Sequence, residues 1–243
     1  MKWTELEKKQ LIIFALIAFG LPILMGILMG YSYFQGNDVS TFPNAQMYYP
    51  AAGVMLALFL AGDKEKPLPK KFYIGFLGTT VVMMLTAVFS IFTPQFNWAV
   101  YGQIPIIILS IVCLILLLTE KKEIRGEYGL RFVGKRKGNS WLCIFLFLAI
   151  YILRLFLSCL IEGEITMFVD VFKNPMTYVT MVSLLPSFFL VFTAFLGEEY
   201  GWRFFFQPLL QKRFGLKGGV LILGVLWGLW HLPINIFFYS PDT

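Results

Sequence analysis

The sequence predicts an all-α, polytopic transmembrane bundle of about seven spans with a cytoplasmic N-terminus, and three observations carry this. The 243 residues are 58% hydrophobic and only 14% charged, against about 25% charged in soluble domains. Seven apolar stretches approach the ~20 residues that a helix needs to cross a bilayer. Basic residues fall on alternate connections between them, which sets orientation by the positive-inside rule.

The stretches run, in order, from Leu11 to Tyr33, Met47 to Gly62 (shorter), Phe72 to Phe92, Trp98 to Thr119, Trp141 to Ile161, within Thr177 to Leu210, and Gly218 to Tyr239. As helices they satisfy their backbone polar groups internally, as lipid requires. The N-terminal segment, "DKEKPLPKK", "EKKEIRGEYGLRFVGKRKGNS" and Arg203 to Lys217 together hold 18 of the 20 Lys and Arg. The opposite connections hold only Lys173, and Arg154 lies inside the fifth span. The basic start and first apolar run could suggest a signal peptide, but the run's length and the spans that follow predict a retained helix.

Basic loops beside an anionic leaflet account for the net charge of +6, so lipid is an expected partner and nucleic acid is not. Cys113, Cys143 and Cys159 fall within spans without metal-ligand spacing, and are expected to be buried structural thiols. The longest polar connection, residues 120 to 140, is too short for a core of its own. A single transmembrane domain over residues 1 to 243 follows, and any chemistry must sit among its helices.

The sixth stretch is too long for one upright span. Pro186 is expected to break it, with Pro208 as a second kink, leaving a helical hairpin over residues 186 to 240. Glu198 then lies 14 residues before Lys212, about 21 Å inward at the helical rise. His231, the only histidine, lies 14 residues after Lys217, so an antiparallel hairpin brings the two level. Whether they face each other is not set by counting. Arg154 is about as deep, and reads equally as a counter-charge or a snorkelling side chain.

An ionisable residue inside a membrane helix costs about 2.5 to 3.5 kcal/mol on insertion scales and marks a functional interior or a compensated pair. Glu199 and Arg203, at i and i+4 with the acid first, form a favourable intrahelical pair. Glu198 points about 100° away around the helix and lacks such a local partner. His231 reads either as a packing histidine or as half of an acid–base or metal site. Pro233 frees a carbonyl near Leu229, and Asn235 shares the face of His231 one turn on.

These residues have a known pattern. "GEEYGWRFFF" followed by "GVLWGLWHLPINI" resembles the CAAX protease and bacteriocin-processing (Abi, CPBP) family of intramembrane metalloproteases. Its E-E-x-x-x-R motif matches Glu198, Glu199 and Arg203, and its F-x-x-x-H motif matches Trp227 to His231, with tryptophan in place of phenylalanine. The resemblance implies an intramembrane endopeptidase acting on membrane-associated peptides or proteins in the cell membrane. Glu198 would be the general base, Glu199 and Arg203 supporting residues, and His231 a ligand or water-orienting group.

A divalent metal, expected to be zinc, would assist, with Glu198, His231 and, more weakly, Asn235 as donors. The family's third motif, H-x-x-x-N or H-x-x-x-D on a further helix, is not separately present, so a chain shortened after Thr243 or a degenerate member is expected. Two rival classes remain: a non-catalytic scaffold or bacteriocin-immunity protein that keeps the fold, and a small transporter using Glu198, Glu199 and Arg154.

Overall fold

Thr4 opens the first helix with a capping box: Glu7 N–H donates to its hydroxyl at 3.2 Å, and Thr4 N–H donates to the Glu7 carboxylate at 2.8 Å. From there the computed structural model describes residues 2–131 and 137–239, and their regular elements are all helical. Helix α1 (Glu5–Ala15) continues through a π-helical stretch, Leu16–Gly20, into α2 (Leu21–Phe34). Next come α3 (Thr41–Gln46), α4 (Tyr49–Ala61), α5 (Lys70–Phe92), α6 (Trp98–Tyr101), α7 (Gln103–Thr119) and α8 (Lys122–Glu127). The chain then forms α9 (Lys137–Ile161), α10 (Ile165–Lys173) and α11 (Pro175–Glu199). A second π-helical stretch, Tyr200–Phe206, leads into α12 (Gln207–Trp230), followed by the single turn α13 (Leu232–Ile234) and a third π-helical stretch, Asn235–Tyr239.

Five helical stretches among the described residues are long and apolar enough to cross a bilayer: Glu5–Phe34, Lys70–Phe92, Trp98–Thr119, Trp141–Ile161 and Pro186–Trp230. The last, 45 residues long, is two legs, because Gly215 turns the chain at φ 78°, ψ 171°, a conformation open to glycine. With those legs counted separately and α4 added, the seven apolar stretches of the sequence are all helical. Helix α4, at 13 residues, is only about 20 Å long. Tyr49, Ala51, Ala52, Val54, Met55 and Ala57 on it are all buried, which makes it an inner helix.

Two sequence expectations change here. The break expected at Pro186 is absent, since α11 runs through it without interruption; one lost backbone bond is tolerated in a membrane helix whose neighbours can compensate. Cys113 and Cys159 are buried, but Cys143 is exposed, because α9 leaves most of its apolar side chains uncovered within its own unit.

The chain divides into two compact units, residues 1–129 with 190–243, and residues 130–189. In the smaller, Gly163 turns α9 into α10 at φ 76°, and Phe168 packs against Phe156 and Phe172 with ring centres 5.4 and 5.1 Å away. Arg154 is exposed there on α9. All the other predicted site residues lie in the larger unit.

In the larger unit, basic connections gather at one end. Lys212 Nζ donates to both Glu7 oxygens at 2.7 and 2.8 Å, and Trp3 Nε1 donates to Leu209 O at 2.9 Å. Glu120 Oε1 caps α5 by accepting the Lys71 and Phe72 N–H groups at 2.7 and 3.2 Å. Between the ends, buried hydroxyls pair across helices: Thr193 Oγ1 lies 3.1 Å from Tyr48 OH and 2.6 Å from Ser110 Oγ. Such pairs hold polar atoms that lipid cannot satisfy.

Candidate functional site

The segment "LGEEYGWRFFF" distributes its side chains by i, i+4 pairs, the spacing that shares a helix face, and each pair meets different neighbours. Gly197 and Gly201 form the tight face. A Cβ on Gly197 would lie 2.5 Å from Met47 O, and one on Gly201 would overlap Pro50 Cβ. This small-x-x-x-small face lets the glutamate segment sit directly on the chain entering α4.

Tyr200 and Phe204 stack with centres 4.5 Å apart and planes within 6°, and the Tyr200 hydroxyl lies 2.6 Å from that of Tyr73. Trp202, 0% exposed, packs on Phe14, Phe19 and Trp230 at 5.8, 5.5 and 5.5 Å. The carboxylates belong to Glu198, one turn before Trp202, and Glu199, one turn before Arg203.

Glu199 pairs with Arg203, Oε2 to Nε 3.5 Å, both side chains about half exposed at 56% and 46%. This is the local pair that the spacing predicts. Glu198 is half-buried and has a partner that counting did not predict, since Trp227 Nε1 donates to its Oε1 at 2.7 Å.

Gly215 stands 17 residues after Glu198 and 16 before His231, so the hairpin does place those two level. A Cβ on Gly219, just past the turn, would lie 2.6 Å from Gln211 N, which shows how closely the legs meet.

His231 sits where α12 ends, at φ −81°, ψ −5°, in the bridge region where active-site residues recur. Its own amide tightens back to Gly228 O at 3.2 Å. The Trp227 carbonyl is thereby left for the imidazole, whose Nδ1 donates to it at 2.9 Å. Pro233, without an N–H, prevents the helix ladder from continuing normally. Its ring fills the space at Gly26 of α2, where a Cβ would come within 2.8 Å of Pro233 Cβ.

Just before His231, Gln46 Nε2 donates to Trp230 O at 2.8 Å in a buried bond. This ties α3 to the end of α12. Asn235 is exposed one turn beyond, and its N–H donates to His231 O at 2.9 Å.

The structure therefore brings Glu198 and His231 to one residue, Trp227, places Glu199 and Arg203 on the adjoining face, and puts Asn235 on the next turn. Glu198 Oε2 and His231 Nε2 make no hydrogen bond among the described residues and remain free acceptors. Sequence reasoning missed Gln46, which lay in a presumed outer loop, and the indole N–H of Trp227. The signal for the glycine face was visible in "GEEYG".

Residues 180–241 match the family model of the type II CAAX prenyl endopeptidase Rce1-like proteins. The resemblance to the CAAX proteases is borne out. Both motifs and Asn235 fall within the matched segment. The chain is also 25% identical over 173 residues to CAAX prenyl protease 2 of Methanococcus maripaludis, an alignment covering 68% of this chain and 62% of the relative. It thus spans about three fifths of that relative's length. No solved structure matches it significantly.

Proposed function

We propose that this chain is an intramembrane endopeptidase of the CAAX type that hydrolyses peptide bonds of membrane-associated peptides or proteins in the cell membrane. The observation that carries the reading is the pair of acceptors, Glu198 Oε2 and His231 Nε2, each left open because the other polar atom of its side chain is hydrogen-bonded to Trp227. A water accepted by both has its two hydrogens bound and its lone pair turned outward. Glu198 takes one proton as the water oxygen bonds to the scissile carbonyl carbon. The same proton then goes to the leaving nitrogen as the C–N bond breaks, the ordinary economy of general acid–base catalysis. Arg203, paired to Glu199, keeps the second carboxylate compensated beside the first.

A divalent metal, the cofactor implied by the resemblance, would have Glu198 and His231 as its donors here. Catalytic zinc usually takes three protein ligands and keeps one open position. Among the described residues no three His, Cys, Asp or Glu side chains group to hold an ion. These residues supply a partial ligand set, and the steps above are those of Glu198 and His231 themselves. The partial set also favours a second reading, in which the same residues bind a peptide without cleaving it, as a scaffold or immunity protein would.

The test is cleavage of a fluorogenic, membrane-anchored reporter by the reconstituted full chain, with and without a prenylated C-terminal cysteine. Glu198→Gln is expected to lower the rate by about 10² or more, the scale of general-base loss, with the fold retained. A variant as fast as the wild type would overturn the assignment. Retained peptide binding in a wild-type chain that never cleaves would favour the scaffold.

A further inference from the structure

Trp227 touches both halves of the site through chemically different atoms. Its indole N–H can only donate, and at 2.7 Å from Glu198 Oε1 it has the length of a charge-assisted bond. Its carbonyl can only accept, so the 2.9 Å contact with His231 Nδ1 requires a proton on Nδ1, and in the neutral imidazole this leaves the Nε2 lone pair free. The imidazole stands edge-on between two indoles, 4.6 Å and 81° from Trp227 and 4.7 Å and 89° from Trp230. Trp230 is itself anchored, by the Gln46 bond to its carbonyl and by the ring of Trp202. Neither ring can turn without breaking one of these contacts.

We propose that Trp227 is the positioning residue of the site: its N–H selects which carboxylate oxygen of Glu198 faces the reactants, and its carbonyl selects the tautomer of His231. The inference deepens the proteolytic reading and rests on it for its kinetic consequence, but its geometric content stands without it. Phenylalanine at this position would keep an aromatic ring and the backbone carbonyl, and lose the N–H together with the fused five-membered ring that carries it. The two functions of Trp227 are thus separable by one substitution.

Two measurements on the full chain in nanodiscs test this. The chain has six tryptophans and one histidine, so indole and imidazole nitrogens are resolvable by ¹⁵N NMR. The indole signal lost in Trp227→Phe should be the one displaced in Glu198→Gln, and the imidazole should be in its Nδ1–H tautomer in both Trp227→Phe and wild type. In the cleavage assay Trp227→Phe should lower kcat about tenfold, the scale for one hydrogen bond to a charged group, with KM changed less than about twofold.

No indole signal moving in Glu198→Gln, or an Nε2–H imidazole, overturns the proposal even if Trp227→Phe folds poorly. Wild-type kcat in a folded Trp227→Phe overturns it too, and leaves the protease reading standing. A coupled indole signal in a wild-type chain that cleaves nothing sinks the protease reading and keeps the positioning role.

Discussion

Gly201→Ala tests whether the glutamate segment is held by the closeness of its backbone to α4. The added Cβ would overlap Pro50 Cβ and lie 2.7 and 2.8 Å from Pro50 C and Cα. Carbon atoms ordinarily rest about 3.5 to 4.0 Å apart, so the two segments must separate by about 1 Å. A proline ring and backbone atoms cannot relieve this by changing rotamer. Overpacking of this kind costs about 1 to 3 kcal/mol, and the rigid neighbours place it at the upper end. The better helix propensity of alanine returns about 1 kcal/mol, for a net loss of about 2 kcal/mol. For a chain of this size that is a Tm lower by roughly 4 to 8 °C, read by thermal unfolding in detergent micelles. Gly78→Ala is the control, because nothing lies within 4 Å of its added Cβ, and it should hold or raise Tm. The same 1 Å displacement at Glu198 should cost cleavage up to about 10²-fold. A Gly201→Ala protein as stable as Gly78→Ala would refute the argument that backbone approach holds the segment.

Gln46→Leu leaves the buried Trp230 carbonyl without its 2.8 Å donor, and should destabilise by about 1 to 3 kcal/mol in thermal unfolding while lowering cleavage through a looser His231. At the basic end, Lys212→Glu should lower Tm by setting like charges against Glu7, and Glu7→Lys with Lys212→Glu should recover part of the loss, the bond that the Glu7 carboxylate accepts from Thr4 N–H staying lost. The pair is partly buried, 30% and 22% exposed, so about 1 kcal/mol is the expected scale, and a double variant no better than the single would remove the pair as a contributor.

What was legible in the sequence was what depends on neighbours along the chain. Apolar length set the helices, alternating basic loops anticipated an end where Glu7 and Lys212 meet, and i, i+4 spacing anticipated the Glu199–Arg203 pair. Counting from a short turn put Glu198 level with His231. By contrast, Met47 to Gly62 read as a marginal span because an apolar run looks the same whether protein or lipid surrounds it; burial makes its helical part, α4, an inner helix.

The sequence by itself thus determined an all-helical membrane protein with two carboxylates and its single histidine at one depth. Tertiary structure decided what those groups touch. The Gly197–Gly201 face set the distance to α4, and the packing of Trp202 on Phe14 and Trp230 set which side of the segment turns inward. The Trp227 N–H then fell on Glu198, and Gln46, 184 residues from its acceptor, fell on the end of α12. Contacts across such separations depend on how helix faces close against one another, and spacing along the chain carries no record of that.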